Sequence, residues 1–516
     1  MIAVSDAWKA IHKETLLPET FIEIAYEVSE PGLQEDASAT ATLEESFSQA
    51  ETLVSTLAKT PEKYATLEWN SFGLDGSFEY FDGTPTDPGY TSSLLSGSSA
   101  AYTSVPTITI RFSQVHTSLI PGITITWSET LNEWASRFRV TAYNGSSWVA
   151  QVTASNNTMP ISQVPVDMEN FDSIVIEVLE WSLPYRRARV IDVFVGLRRI
   201  YSKNDLVSYS HTQSVDLLSA ALPSNKVTFS LRNDEAQWNP DNPMGMERYL
   251  LERQLVKVRY GMTVDGNTEW IDGGQFWLSE WSTPANGMEA SFTAKDALDF
   301  MHEVYTGKRS GTLYEIATAA FVQADLPVMP DGSVRYVVDT SLKNYSTDFS
   351  GQDDEYTVAE VLQMTAHMAC CVMYQDRSGR VQLRPHQSVL TDYLIDRNVS
   401  YAHPEYEISK PLKAVVVSYG DAKATISVGT SGEVQTVDNP FVTTLSNAQR
   451  VGEAAKALLK GRKTISGEFR ADPRLDALDV ITVESKYADN TVTITDVTYS
   501  TSGGAMRGTY TGRVKT

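Results

Sequence analysis

Side-chain chemistry needs nucleophiles, acid–base pairs or metal ligands at close spacing, and this chain offers few. Its seven histidines stand at 12, 116, 211, 302, 367, 386 and 403. None falls in the H-E-x-x-H spacing that sets two imidazoles on one helix face. There is no C-x-x-C pair and no G-x-S-x-G elbow. Gly307-Lys308-Arg309-Ser310 lacks the upstream glycine of a phosphate loop and reads as a helix-end turn. Cys370 and Cys371 are adjacent, a strained spacing for a disulfide. With His367 they could form a thiol site, but they lie in an apolar helical run, which makes them packed thiols. Asp353-Asp354-Glu355 could bind a cation; a solvated cap ahead of the helix at 357 is the reading preferred. Glu44, Glu45 and Glu51 could be an acid–base set, but a solvated helix face explains them better. No catalytic residue, metal site or cofactor is therefore expected.

Binding is the chemistry that remains. Sugars are held by flat aromatic faces beside planar polar groups, because C–H faces stack and hydroxyls need donors and acceptors. Tyr90, Trp134, Tyr185 and Arg186 sit in or near expected loops of an all-β region and are the candidate carbohydrate-binding residues. The competing reading is that they pack the ends of that region. Trp238, in an Asn/Pro-rich loop, could be a ligand platform but reads as a structural plug.

The elements that would carry these residues follow from length and pattern. At 516 residues the chain is long enough for three or four domains. A hydrophobic content of 42% with 21% charged residues is that of a folded protein. The net charge of −23 disfavours polyanionic partners such as nucleic acid and anionic membranes. The first residues lack the apolar core of a secretion signal, and no apolar run has the length of a membrane span. Folding in a reducing cytosol is expected, with export by lysis or by assembly into a particle.

The stretch Arg232 to Phe300 organises the rest. An Asn/Pro loop leads to an apolar strand at 255–260, a hairpin turn at 264–267, a strand at 275–281, a turn at 284–287 and a return strand at 288–292. A helix is expected to open at Thr293 or Ala294. Residues of both parities are apolar, which suits a small barrel. Upstream, a helix is expected at 4–13, a strand at 19–27 and a connector at 36–63 with helical pieces near 50–59. Alternating strands then run from Tyr64 to Gly196 as a β-sandwich. Helices at 311–325 and 357–374 with a strand–turn–strand at 372–383 make a middle domain at 305–400. A strand at 412–418, a helix at 447–460 and further strands fill 401–516.

N-D-E-x-Q-W-N-P-x-N-P-x-G, L-x-x-x-Q-x-V-K-V-x-Y-G-M and E-W-I-x-G-G-x-F-x-L-S-E-W resemble the tail (baseplate) hub proteins of phages of Gram-positive bacteria. Asp472-Pro473-Arg474 through Val483 and the ending around Met506-Arg507-Gly508 are similar to the second barrel of these hubs. The 64–196 region resembles the discoidin-like jelly roll of carbohydrate-binding modules that such hubs carry. The resemblance implies a mainly β fold with α+β parts. Its two tail-tube-like β-barrel domains would be 1–35 with 197–304, and 401–516; an inserted β-sandwich and an α/β middle domain would complete it. It implies a structural homotrimer in the virion, made in the host cytoplasm. Implied partners are the distal tail protein and tail tube, the tape measure protein, and receptor-binding or tip proteins, with host cell-wall polysaccharide as a further one. DNA would pass through without specific binding and no membrane insertion is implied. The alternatives are a stand-alone carbohydrate-binding adhesin and a wall hydrolase; trimer formation with tail-tube proteins, glycan binding by a monomer, and release of wall fragments would tell the three apart.

Overall fold

The computed structural model describes residues 1–516 apart from 15–19, 55–63, 67, 70–77, 79, 84–86, 129–130, 203, 235, 243–244, 265, 285–286, 330–332, 352–353, 388, 503–505 and 516. The fold is mainly β. Expected elements at 55–59 and the carboxylate of Asp353 lie outside the described residues.

The largest unit is a 13-stranded sheet. Its N-terminal strand set runs in the order Leu197–Tyr201, Thr20–Val28, Leu255–Val264, Asn267–Ser282, Glu289–Lys295, Ser224–Arg232 and Leu206–Ser214. The last of these pairs antiparallel with Asn490–Ser502, which opens the C-terminal set: Arg507–Val514, Lys463–Arg470 and Glu405–Ile408. Val480–Val483 and then Leu390–Ile395 branch from Asn490–Ser502. The expectation of two barrels is corrected here. Among the described residues no sheet closes on itself, and both sets share one apolar core, from Ile24, Tyr26 and Phe292 to Phe469, Val492 and Tyr510. The joining ladder between the sets brings residues almost three hundred positions apart into register, which no local pattern announces.

The double-sided apolar character that suggested a barrel has a different cause. Val256, Val258 and Phe276 face the shared core. Leu255 and Trp277 face the other way, into the core of an α/β lobe of the same chain. At the end of Glu289–Lys295 the expected helix is a short 3-10 turn, Ala297–Phe300. Phe292 and Ala294 stay extended because they pair with Phe229 and Val227, and Asp296 Oδ1 accepts from Leu298 N at 3.1 Å to cap the turn.

The α/β lobe holds the helices Leu313–Ala324 and Val358–Ala369, each opened by a capping box, Thr312/Glu315 and Thr357/Glu360. Residues 412–459, expected in the second barrel, belong to this lobe. The helix Leu445–Leu459 lies on the sheet Ala422–Ser427, Leu412–Tyr419, Glu433–Val437, with Gly452 so close that a Cβ would sit 2.5 Å from Ile426. Val415, Val417, Ile426 and Val451 then join Ile316, Phe321 and Leu362 in one core.

The sandwich has a five-stranded sheet, Ser38–Ala41, Thr107–His116, Phe171–Trp181, Ala135–Asn144, Ser147–Ser155, facing a four-stranded one, Ile161–Met168, Ile120–Trp127, Arg187–Val195, Tyr90–Leu95. The stretch expected as a connector contributes to it. Ser38–Ala41 pairs with Thr107–His116, and Ala39, Ala50, Leu53 and Val54 enter the sandwich core, where Leu33, expected in the first barrel, joins them. Small residues make this stretch look like a linker, yet the few larger apolar ones it has, Leu53 and Val54, are core residues.

Candidate functional site

The loops at one end of the sandwich place an exposed aromatic pair over a buried ionic layer. Trp69 is 66% exposed and Tyr185 40% exposed, and their rings stack at 5.8 Å with 21° between planes. Tyr185 is held at φ 57°, a left-handed conformation that a tyrosine adopts only under constraint. The constraint comes from both sides: Tyr185 N donates to Ser96 O at 3.2 Å, and Arg186 N donates to Ser96 Oγ at 3.1 Å.

Beneath the pair, Arg186 is buried, with Nε 2.9 Å from Glu133 Oε1 and Nη1 donating to the Trp69 carbonyl. Glu133 also accepts from Trp181 Nε1 at 2.8 Å. Glu68 accepts from Arg187 N at 2.6 Å and pairs with Arg189. Burial alone would raise the Glu68 carboxyl; the Arg189 guanidinium, Thr66 and Arg187 outweigh it and hold it below the usual carboxylate range. These bonds hold Glu68 and the Trp69 carbonyl in place. Both carboxylates are committed to guanidinium groups, so the site has the parts of a binding surface and not those of an acid–base catalyst.

The four expected site residues therefore separate. Tyr185 and Arg186 come together at this end. Tyr90 is buried in the sandwich core with its hydroxyl on Thr42 O at 2.8 Å, and it is not a surface group. Trp134 is half-buried against the core, with Nε1 on Asn157 O at 2.9 Å. Sequence reasoning missed Trp69, Glu68 and Glu133. Glu68-Trp69 carried one usable signal, a carboxylate beside an aromatic in an otherwise polar stretch, but its arginine partner lies 121 positions away.

The other candidates are structural. His367 and Cys371 are buried in the α/β lobe, and burial pushes the Cys371 thiol up to about 12. His116 lies between Glu30 (3.2 Å) and Asp36 (3.0 Å) where the sandwich leaves the sheet. His211 sits in the shared core, where burial pulls its imidazole down to about 4. Among the described residues no group of three or more His, Cys, Asp or Glu could hold a metal ion, and no helix is long and apolar enough to cross a membrane.

No protein-family model and no curated protein matches the chain. Among solved structures it is similar to the 43 kDa tail protein of prophage MuSo2 from Shewanella oneidensis, at 14% identity over 61% of this chain and 94% of that one, with TM-score 0.42. It is similar to the tail protein from Neisseria meningitidis MC58, at 12% identity over 62% and 93%, with TM-score 0.40. The family 32 carbohydrate-binding module of C. perfringens NanJ, solved with galactose, matches at 15% identity over 34% of this chain and 99% of that one, with TM-score 0.20.

Proposed function

We propose that the chain is a structural hub of a phage tail tip: a homotrimer that closes the distal tail tube. It joins the distal tail and tape measure proteins above to tip or receptor-binding proteins below. The observation that carries this reading is how the hub-like motif is used. Trp238 is buried against Tyr26 and Phe292, and its N donates to Asn233 Oδ1 at 2.9 Å. Asn242 Nδ2 donates to Ala236 O at 2.9 Å. Asn233, Trp238 and Asn242 of the motif thus tie their loop over the shared core. A motif whose aromatic residue packs into the core supports a structural reading, and the net charge of −23 suits a channel that DNA slides through without sticking.

The sandwich, with Trp69 and Tyr185 outward, would contact host cell-wall polysaccharide. Electron microscopy of the purified chain with tail-tube and distal tail proteins tests the hub reading. Threefold rings at the tube end are expected; a chain that stays monomeric and never enters a ring beside those partners overturns it. A monomer that binds wall glycan by itself would instead favour the adhesin, which the exposed aromatic pair also suits.

A further inference from the structure

The two strand sets repeat one five-stranded unit. In chain order the N-terminal unit is Leu206–Ser214, Ser224–Arg232, Leu255–Val264, Asn267–Ser282 and Glu289–Lys295. The C-terminal unit is Glu405–Ile408, Lys463–Arg470, Val480–Val483, Asn490–Ser502 and Arg507–Val514. In both, the strands lie side by side in the order third, fourth, fifth, second, first, and every neighbouring pair is antiparallel. In both, the fourth strand slips register once against the fifth, between Leu278 and Glu280 and between Ile494 and Asp496. Matched at that slip and followed through the ladders, Glu280 corresponds to Asp496, Trp281 to Val497, Gln213 to Ile408 and Ser214 to Ser409.

The joint within the chain docks the first strand of one unit on the fourth strand of the other. Val480–Val483 occupies one edge of Asn490–Ser502 as far as Thr493, and Leu206–Ser214 takes the same edge from Asp496 onward. Ser214 lies opposite Asp496, Gln213 opposite Val497 and Thr212 opposite Thr498, with Ser214 Oγ donating to Asp496 Oδ1 at 2.5 Å.

The matching two parts are left over. Glu405–Ile408 ends the sheet as an edge strand with all four residues exposed. On the fourth strand of the N-terminal unit, backbone pairing from the third strand and the residues just before it reaches Leu278. Among the described residues no strand takes that edge at Glu280–Ser282. A bare edge is a template for another strand. Each part also holds a large apolar side chain in water: Ile408 is 60% exposed, and Trp281, which ends the hub-like motif, is 39% exposed.

We infer that Glu405–Ile408 of one copy of the chain pairs antiparallel with Glu280–Ser282 of the next, in the register of the joint. That register sets Ile408 opposite Trp281, Glu407 opposite Ser282 and Ser409 opposite Glu280. The two exposed apolar side chains then cover each other, and the hydroxyl–carboxylate pair of the joint recurs. A slip of one residue would turn Ile408 away from Trp281, since neighbouring strand residues face opposite sides. The contact is head-to-tail, so copies follow one another in one direction. Closure after three copies rests on the hub reading; the pairing does not.

The test mixes full-length Trp281→Cys and Ile408→Cys chains with tail-tube and distal tail proteins and oxidises them mildly. Disulfide-linked dimers of the two variants, identified by peptide mapping, should form about ten-fold more than in either variant alone, because a disulfide needs the two Cβ atoms close together. Ser282→Cys in place of Trp281→Cys points to the other face of the sheet and should link about ten-fold less. No linkage above the single variants, or equal linkage through Ser282→Cys, overturns the pairing. Threefold rings without the link would leave the hub reading standing and remove this interface; linked chains that never form rings would do the reverse. Should a variant fail to fold, hydrogen exchange on the unmodified chain decides the matter. Amides of Glu405–Ile408 must slow about ten-fold or more on assembly, and unchanged exchange overturns the pairing.

Discussion

The sandwich and the joint between the strand sets both hold two parts of the chain together, one by packing sheet on sheet and the other by a ladder within one sheet. Between the sandwich sheets lie Trp127, Phe138, Ile174 and Trp181, with Trp127 in edge contact with Phe138 at 4.9 Å and with Trp181 at 6.0 Å. The joint mixes materials: Tyr209, Val497 and Tyr499 belong to the shared apolar core, and the His211 imidazole and Gln213 amide are buried beside them. Apolar packing is non-directional and costly to undo, while a hydrogen-bond network specifies one register and yields to water. The difference separates a unit built to stay whole from a line along which a larger unit is assembled.

The largest effect expected concerns where the sandwich begins. A fragment of 64–196 lacks Ser38–Ala41 and the core residues Leu33, Ala39, Ala50, Leu53 and Val54. It should express as an aggregating or molten product, whereas 29–197 should unfold in one cooperative transition by calorimetry. Within the complete sandwich, Trp127→Ala removes the central ring and the donor to Ser162 Oγ, and should cost about 4 kcal/mol. The melting of the sandwich would fall and that of the strand sets would not, which separates the two regions directly.

Two buried groups beside the joint titrate with opposite signs. His211 has its folded pKa lowered to about 4 by burial, against 6.5 for the free side chain, so it contributes stability above pH 6.5 that is lost as pH falls toward 4. Asp296 lies close by: its N donates to the carbonyl of Asn225, whose Oδ1 is 2.9 Å from His211 Nε2, and its Oδ2 has no partner. Burial raises its carboxyl from 3.8 to about 7, so its contribution is present below 3.8 and is lost as pH rises through 7. At about 1.36 kcal/mol per pKa unit the two shifts correspond to about 3 kcal/mol for His211 and about 4 kcal/mol for Asp296. Between pH 4 and 6.5 the two slopes have opposite signs and nearly cancel, so denaturant titrations of the full chain should show little change there. Asp296→Asn, which keeps the acceptor for Leu298 N, should unmask a rise in stability with pH across that window. A variant as flat as the parent would place the compensation elsewhere.

How far the sequence was legible follows from range. The strands at 107–112, 123–127, 138–143 and 173–178 and the helices at 311–325 and 447–460 correspond to elements of the structure, because period and capping are local; the helix expected at 357–374 ends at Ala369, with Cys370 as its left-handed cap and Cys371 beyond it. Trp238 was legible as a plug because its loop bonds to itself. What was not legible was long-range: the Thr212–Thr498 pairing, the Glu68–Arg189 pair, and the transfer of 412–459 to the α/β lobe. Tyr90 misled because Tyr90–Leu95, with its run of threonine and serines, lacks the alternation that marks a buried strand, although the tyrosine itself is core.

The smallest expected change in stability falls at the exposed pair, and there it discriminates most. A tyrosine at φ 57° carries backbone strain of about 1 kcal/mol, which a glycine does not. If position 185 served only the fold, Tyr185→Gly would lose the stacking on Trp69 and regain that strain, leaving the melting temperature within a degree or two of the parent. The same outcome is expected if it serves binding, so stability alone does not decide. The deciding measurement is affinity of the 29–197 fragment for host wall polysaccharide, by sedimentation with purified walls. Tyr185→Gly and Trp69→Ala should each lower it about ten-fold or more, since an aromatic face over a sugar contributes on the order of 1–2 kcal/mol. Trp134→Ala, whose indole is occupied by Asn157, should leave affinity unchanged while lowering stability. Retained binding in both platform variants would turn the strained tyrosine into a feature of loop packing and remove glycan contact from the role of this end of the sandwich.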